Sequence, residues 1–155
     1  MSATATTIAI RPGHVGLNVT DLERSLAFYA QVLDLQTLGR SEDSDREWVF
    51  LGRDGQLLLT LWRQAEGSFS AVQPGLHHLA LQVDSVEELQ AVQDRLVELG
   101  IERRYGGVVL HAEGTTSGGV FFVDPDGIRL EVYAPTGVAE TGAPAVGDGP
   151  ACGHF

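Results

Sequence analysis

Two stretches of the chain repeat one pattern of polar and apolar positions. His14-Val15-Gly16-Leu17-Asn18-Val19 and His78-Leu79-Ala80-Leu81-Gln82-Val83 each set a histidine before a strict alternation ending in valine, 64 positions apart. Period-two alternation predicts half-buried strands, with Val15, Leu17 and Val19 on the core face and His14, Gly16 and Asn18 on the other. Leu79, Leu81 and Val83 oppose His78, Ala80 and Gln82 in the same way. After each strand the period lengthens. Leu22, Leu26, Tyr29 and Leu33 fall on one helical stripe behind Thr20-x-x-Glu23, and Val86, Leu89, Val92, Leu96 and Leu99 on another behind Ser85-x-x-Glu88. Both openings read as capping boxes, in which a hydroxyl and a carboxylate satisfy exposed backbone donors. Gly100 supplies a stop for the second helix.

Each half then carries an Asp-Gly hairpin signal between short apolar runs. Asp54-Gly55 separates residues 48–51 from 57–62, and Asp126-Gly127 separates 120–123 from 128–133. In the last run Ile128, Leu130 and Val132 alternate with Arg129, Glu131 and Tyr133. Strand, helix and three strands, written twice, predict one α+β domain over residues 11–134, with modules at 11–62 and 75–134. Residues 102–119 read as a loop over an open face. Residues 1–10 form an N-terminal extension, and 135–155 a Gly/Pro/Ala-rich tail, poorly ordered unless a neighbour ties it down.

Composition narrows the function classes. The 155 residues suit one compact domain, and 43% apolar with 20% charged residues suits a globular chain. Ten basic against twenty-one acidic residues leave a net charge of −11. Such a surface repels nucleic-acid backbones and anionic membranes, so neither is an expected partner. No apolar run is long enough to span a bilayer. Residues 1–9 lack the charged and apolar regions of a secretory signal, so the expectation is a soluble, cytoplasmic protein. A lone cysteine, Cys152, excludes an internal disulfide and a thiolate cluster. The absence of lysine excludes Schiff-base chemistry through a lysine side chain. Cys152 and His154, both in the tail, read as bystanders.

Alternation places the polar sets of three strands on a common face, where His14, His78 and Glu131 stand out. Two imidazoles and a carboxylate are the donor set of the facial triad in non-haem Fe(II) oxygenases, and Zn and Mn sites use similar donors. Three protein ligands leave positions open for a substrate with adjacent oxygens. His77 falls by parity on the helix-facing side and reads as structural. Asn18, Gln82, Arg129 and Tyr133 share the cavity face and are candidates to orient a polar substrate, or else solvated strand residues. Trp48, Phe50 and Phe121 are candidates to line an aromatic-accepting pocket, or else core.

The stretches HVGLNVTDLERSLAFY, GLHHLALQVDSVEEL and FFVDPDGIRLEVY resemble the paired βαβββ modules of the vicinal oxygen chelate superfamily. That superfamily includes glyoxalase I, extradiol dioxygenases, fosfomycin-resistance thiol transferases and bleomycin-resistance proteins. The resemblance covers most of residues 11–134. It implies a cup-shaped mixed sheet with helices on the outer face and metal ligands at His14, His78 and Glu131. It also implies a divalent cation, Fe(II) first with Mn(II), Zn(II) or Ni(II) as alternatives, and a homodimer in which modules pair within or between chains.

A fourth ligand position, often glutamate in glyoxalase I, aligns with Leu59 when Gly55 is laid on Gly127. Leucine neither binds metal nor carries a proton, so the lyase mechanism is disfavoured. Other departures touch the dioxygenases. No histidine stands near Gly55 and Gln56, and Phe121 replaces their tyrosine, ten residues before the glutamate. His111 lies roughly where they place another substrate-side histidine. For the thiol transferases, no Arg or Lys follows Glu131 to hold a phosphonate. The functional expectation is dioxygenase-type chemistry on a small, catechol-like substrate chelating through vicinal oxygens, with His111 or Tyr133 handling its protons. The alternatives are a drug-binding protein of the bleomycin-resistance kind and a metal-dependent thiol transferase or isomerase.

Overall fold

The computed structural model describes residues 6–147 and Phe155. Cys152 and His154 lie outside the described residues, as do residues 1–5 of the N-terminal extension. The element order is β1 (Val15–Val19), α1 (Leu22–Leu33), β2 (Gln36–Arg40), β3 (Trp48–Arg53), β4 (Gln56–Arg63), β5 (Leu79–Gln82), α2 (Val86–Glu98), β6 (Val109–Leu110), β7 (Gly118–Val123) and β8 (Arg129–Ala134). A short 3-10 turn follows at Ala139–Thr141. The strands form two four-stranded mixed sheets, ordered β1-β4-β3-β2 and β5-β8-β7-β6. In each, the first strand pairs in parallel with the last, and the other pairs are antiparallel. The α+β order read from the sequence therefore holds, and β6 lies inside the segment expected to be only a loop.

Alternation decides what each sheet buries. Leu17, Val19, Val49, Leu51, Leu59 and Leu61 from the first sheet join Leu79, Val120, Phe122, Leu130 and Val132 from the second in one apolar core with both helices. α1 presents Leu22, Ser25, Tyr29 and Val32 to it, so the buried stripe is rotated from the expected one, with Leu26 and Leu33 only half-buried. α2 buries Leu89, Val92 and Leu96, while Leu99 stays 44% exposed. Its cap is the expected box: the Ser85 hydroxyl accepts the Glu88 N–H, and the Glu88 carboxylate accepts the Ser85 N–H. α1 corrects the reading. Its cap is Asp21, which accepts the Arg24 N–H at 2.9 Å.

Thr20 is diverted because a stronger acceptor reaches it from the other module. Asp126, 8% exposed, accepts the Thr20 N–H at 3.0 Å, the Thr20 hydroxyl, and the Arg24 guanidinium at 2.8 Å. Two residues earlier, Asp124 accepts the N–H groups of Asp126 and Ile128 at 2.9 and 2.8 Å and the Tyr29 hydroxyl at 3.0 Å. Burial raises the Asp124 carboxyl above its ordinary value, opposed by these three hydrogen bonds. Burial first, then the adjacent Asp124, hold the Tyr29 phenol protonated well beyond its usual range. The turn between β7 and β8 is thereby bolted to the start of α1. β1 pairs only with β4 and β5 only with β8, leaving both as sheet edges among the described strands.

Part of the tail is tied down. Val138 is fully buried and donates its N–H to Thr116 O, and Leu110 donates to Pro144 O beside a bridge to Ala145. Among the described residues no helix is long and apolar enough to cross a membrane.

Candidate active site

The register of the second sheet assembles the site. Ala80 and Phe121 flank Glu131 on neighbouring strands, and Gln82 and Gly119 flank Tyr133. Glu131 is 3% exposed, and a buried carboxylate requires partners. Two imidazoles supply them: His78 Nε2 stands 3.4 Å from Oε2, and His111 Nε2 stands 2.6 Å from Oε1. The Ser117 hydroxyl, 2.8 Å from His111 Nδ1, fixes that ring from its other side. When Nε2–H donates to Glu131, Nδ1 accepts the hydroxyl proton. The Tyr133 hydroxyl donates to Gln82 Oε1 at 2.9 Å, and its ring lies 5.5 Å from that of His111. Gly119 keeps the approach open, since a Cβ there would come within 3.2 Å of Glu131 Oε1 and 2.8 Å of Val132 O.

Of the residues singled out in the sequence, His78, His111, Glu131, Gln82, Tyr133 and Phe121 meet here, with Phe121 fully buried as a wall. Arg129 lies one step further along the same face. His14 is exposed, immediately before β1, and the His78–Glu131 pair is joined in this chain by His111 instead. Among the described residues, no three His, Cys, Asp or Glu side chains are arranged to hold a metal ion. His77 is exposed rather than helix-facing, its Nδ1 2.8 Å from His78 Nδ1.

The first sheet carries the remaining candidates on a neutral face. Asn18 and Trp48 both pair with Trp62, while Gly16 and Phe50 pair with Thr60. Trp48 stacks on Phe50 at 4.3 Å, and Trp62 Nε1–H donates to Thr60 Oγ1 at 3.1 Å. Gly16 corresponds to Ala80 in the repeat, so Thr60 is the true counterpart of Glu131. Leu59, which the hairpin alignment had placed there, is fully buried on the core face. A bulge causes the slip: Leu51 pairs with Leu59 but Gly52 with Leu57, inserting one residue into β4 that β8 lacks. The lyase-type glutamate is still missing. Sequence reading missed Trp62, whose run shows no alternation, and Phe155, which no pattern marks.

A family model described as Glyoxalase/Bleomycin resistance protein/Dioxygenase superfamily matches residues 11–132. The chain is 32% identical over 127 residues to a catechol-2,3-dioxygenase of Bacillus subtilis (strain 168), covering 79% of this chain and 40% of that protein. It therefore spans well under half of that relative's length. It is 33% identical over 128 residues to a trivalent organoarsenical cleaving enzyme of Bacillus sp. (strain MD1), covering 82% and 75%. A solved glyoxylase/bleomycin resistance protein/dioxygenase domain from Frankia sp. EAN1pec superposes with a TM-score of 0.71 at 25% identity, covering 83% of this chain and 93% of that one.

Proposed function

The chain belongs to the Glyoxalase/Bleomycin resistance protein/Dioxygenase superfamily, and on that premise we propose that it is a divalent-metal enzyme whose centre is shared between two copies. His78 and Glu131 of one copy and His14 of the other would hold the ion. The observation carrying this reading is a buried carboxylate already 3.4 Å from one candidate imidazole, with each histidine placed just before an unpaired edge strand. Pairing β1 of one copy with β5 of the other satisfies both edges and brings His14 toward His78.

Two imidazoles and a carboxylate suit Fe(II), Mn(II), Zn(II) or Ni(II), and Fe(II) is the first choice for dioxygenase-type chemistry on a small catechol-like substrate. When bound, the ion supplies Lewis acidity and, as iron, dioxygen activation. The chain's own residues do the rest. His111 steers the Glu131 carboxylate through Oε1, Tyr133 and Gln82 form a hydroxyl–amide pair able to orient a polar substrate by hydrogen bonds, and Trp48, Phe50 and Trp62 offer a platform for a ring. That platform and the net charge of −11 also favour a second reading, a binding protein for a cationic drug. It requires ligand binding to survive His78→Ala. Turnover without oxygen would favour a transferase or isomerase over a dioxygenase.

The test is complementation. His14→Ala and Glu131→Gln each lower metal affinity by more than about 100-fold, the loss of a ligand exceeding that of its supporting groups. Unfolded together and refolded, the two variants regain about a quarter of the metal sites, because half the dimers are mixed and each mixed dimer has one intact centre. Full metal uptake by His14→Ala alone overturns the shared centre.

A further inference from the structure

The ring of Phe155 lies against the second-module site. It stacks on the His78 imidazole with centroids 5.5 Å apart and planes at 27°, and meets Phe121 edge-on at 5.4 Å and 70°. The Arg129 guanidinium stands 5.5 Å from its centroid and that of Arg104 stands 6.0 Å away. Tyr105 and Val146 pack with it around the buried pair Val109 and Phe121. Phe155 also borders a cavity of about 600 Å³ lined by Arg104, Arg129, Tyr105, Phe69 and Phe122.

One flat ring therefore engages an imidazole face, an aromatic edge and two cations at once. These are contacts to a π system rather than to a generic apolar side chain, which would gain nothing from the guanidinia. A free aromatic compound can make the same contacts, and an anionic substituent on it would meet a guanidinium whose fork matches a carboxylate. A tenth of the chain's basic side chains would suffice for that; two converge here.

We propose that the second module carries an aryl subsite beside the His78–Glu131 pair, built for a planar aromatic ring bearing an anionic group, and that Phe155 is its resident occupant, which that ligand displaces. The inference deepens the reading of His78 and Glu131 as a reaction centre and rests on it for the fate of the bound ring. Binding itself requires no metal. If Phe155 fills the subsite about nine times in ten, a competing ligand binds about tenfold more weakly than to the vacated subsite.

The test is a titration of metal-free protein with benzoate, followed through the His78 side-chain NMR signals. Phe155→Ala, with Phe155→Leu as a variant that keeps apolar bulk, is expected to shift the His78 ring resonances as the stacked ring is lost. Benzoate then binds the Ala variant about tenfold more tightly than the parent chain. Arg129→Gln in that background loses the gain, and cyclohexanecarboxylate, which has the charge without the π face, binds much more weakly than benzoate. An unchanged His78 signal in the folded Ala variant, equal benzoate affinity with and without Phe155, or equal binding of the two acids overturns the proposal. A chain that binds benzoate in this way yet takes up no ion keeps the aryl subsite and loses the shared centre, and the converse result does the opposite.

Discussion

The two modules have the same element order, the same parallel pairing of first and last strands and the same hairpin dipeptide, yet their open faces differ in kind. At the position beside Gly16 the first module has Thr60, roofed by Trp48, Phe50 and Trp62. At the position beside Ala80 the second has Glu131, gripped by two imidazoles. The backbone thus provides one address twice, and a single side chain at that address decides whether the face is a neutral aromatic platform or an acid–imidazole cluster. The hairpins diverge as well. Asp54 is exposed in the left-handed region, at φ 51°, whereas Asp126 is buried and binds the other module.

The comparison can be broken most severely at that address. Thr60→Glu places a carboxylate where Trp62 Nε1–H is the neighbouring donor and the parent side chain is 3% exposed. It is expected to cost about 3 kcal/mol or more by urea denaturation, the price of an unpaired buried charge. Equal stability would mean that the first face accepts charge as the second does. A smaller effect separates the hairpins. Asp126→Ala strands the Thr20 N–H and the Arg24 guanidinium and should cost about 2 kcal/mol, against less than about 0.5 kcal/mol for Asp54→Asn, which removes the charge and keeps a residue that tolerates the left-handed backbone. Similar melting temperatures for the two variants would deny the clamp.

The smallest effect is a pH dependence set by Asp124 in the hairpin of the second module. Asp124 titrates higher in the folded protein than its ordinary value of 3.8, chiefly through burial. Its contribution to stability is therefore full below that value and is lost as pH rises through the raised folded value. Asp124→Asn keeps the hydrogen-bonding shape without ionising. The stability difference between Asn and Asp should move in favour of Asn as pH rises from acid to neutral, measured by denaturation at a series of pH values. Movement in the opposite sense would mean that the hydrogen bonds outweigh desolvation.

Strand faces were legible because alternation is a local property. Val19 and Leu130 went inward, and His78, Gln82, Glu131 and Tyr133 to the opposite face, as parity requires. The α2 cap was legible for the same reason: Ser85 and Glu88 satisfy each other within one turn. What failed was non-local. Thr20 left its expected cap for Asp126, 106 residues away, and no window around Thr20 contains that competitor. The one-residue slip from Leu59 to Thr60 arose at Gly52, where a Cβ would fall 1.9 Å from Gln56 O and only glycine permits the bulge. His111 was placed only loosely by its loop, and its contact with Glu131 depends on β6 and Ser117 holding that loop in place. Phe155 follows no periodicity, and only the folded chain brings it to His78.

The turn linking β7 to β8 bears on how such chains can be recombined. Its two aspartates reach Thr20, Arg24 and Tyr29, all in the opposite half. A chimera joined in the segment between β4 and β5 would inherit a complete hairpin from one parent and its docking residues from another. Such hybrids should fold only when a hydroxyl at position 20 and a phenol at position 29 travel with the aspartates, so the duplicated halves have become mutually dependent and no longer behave as interchangeable parts.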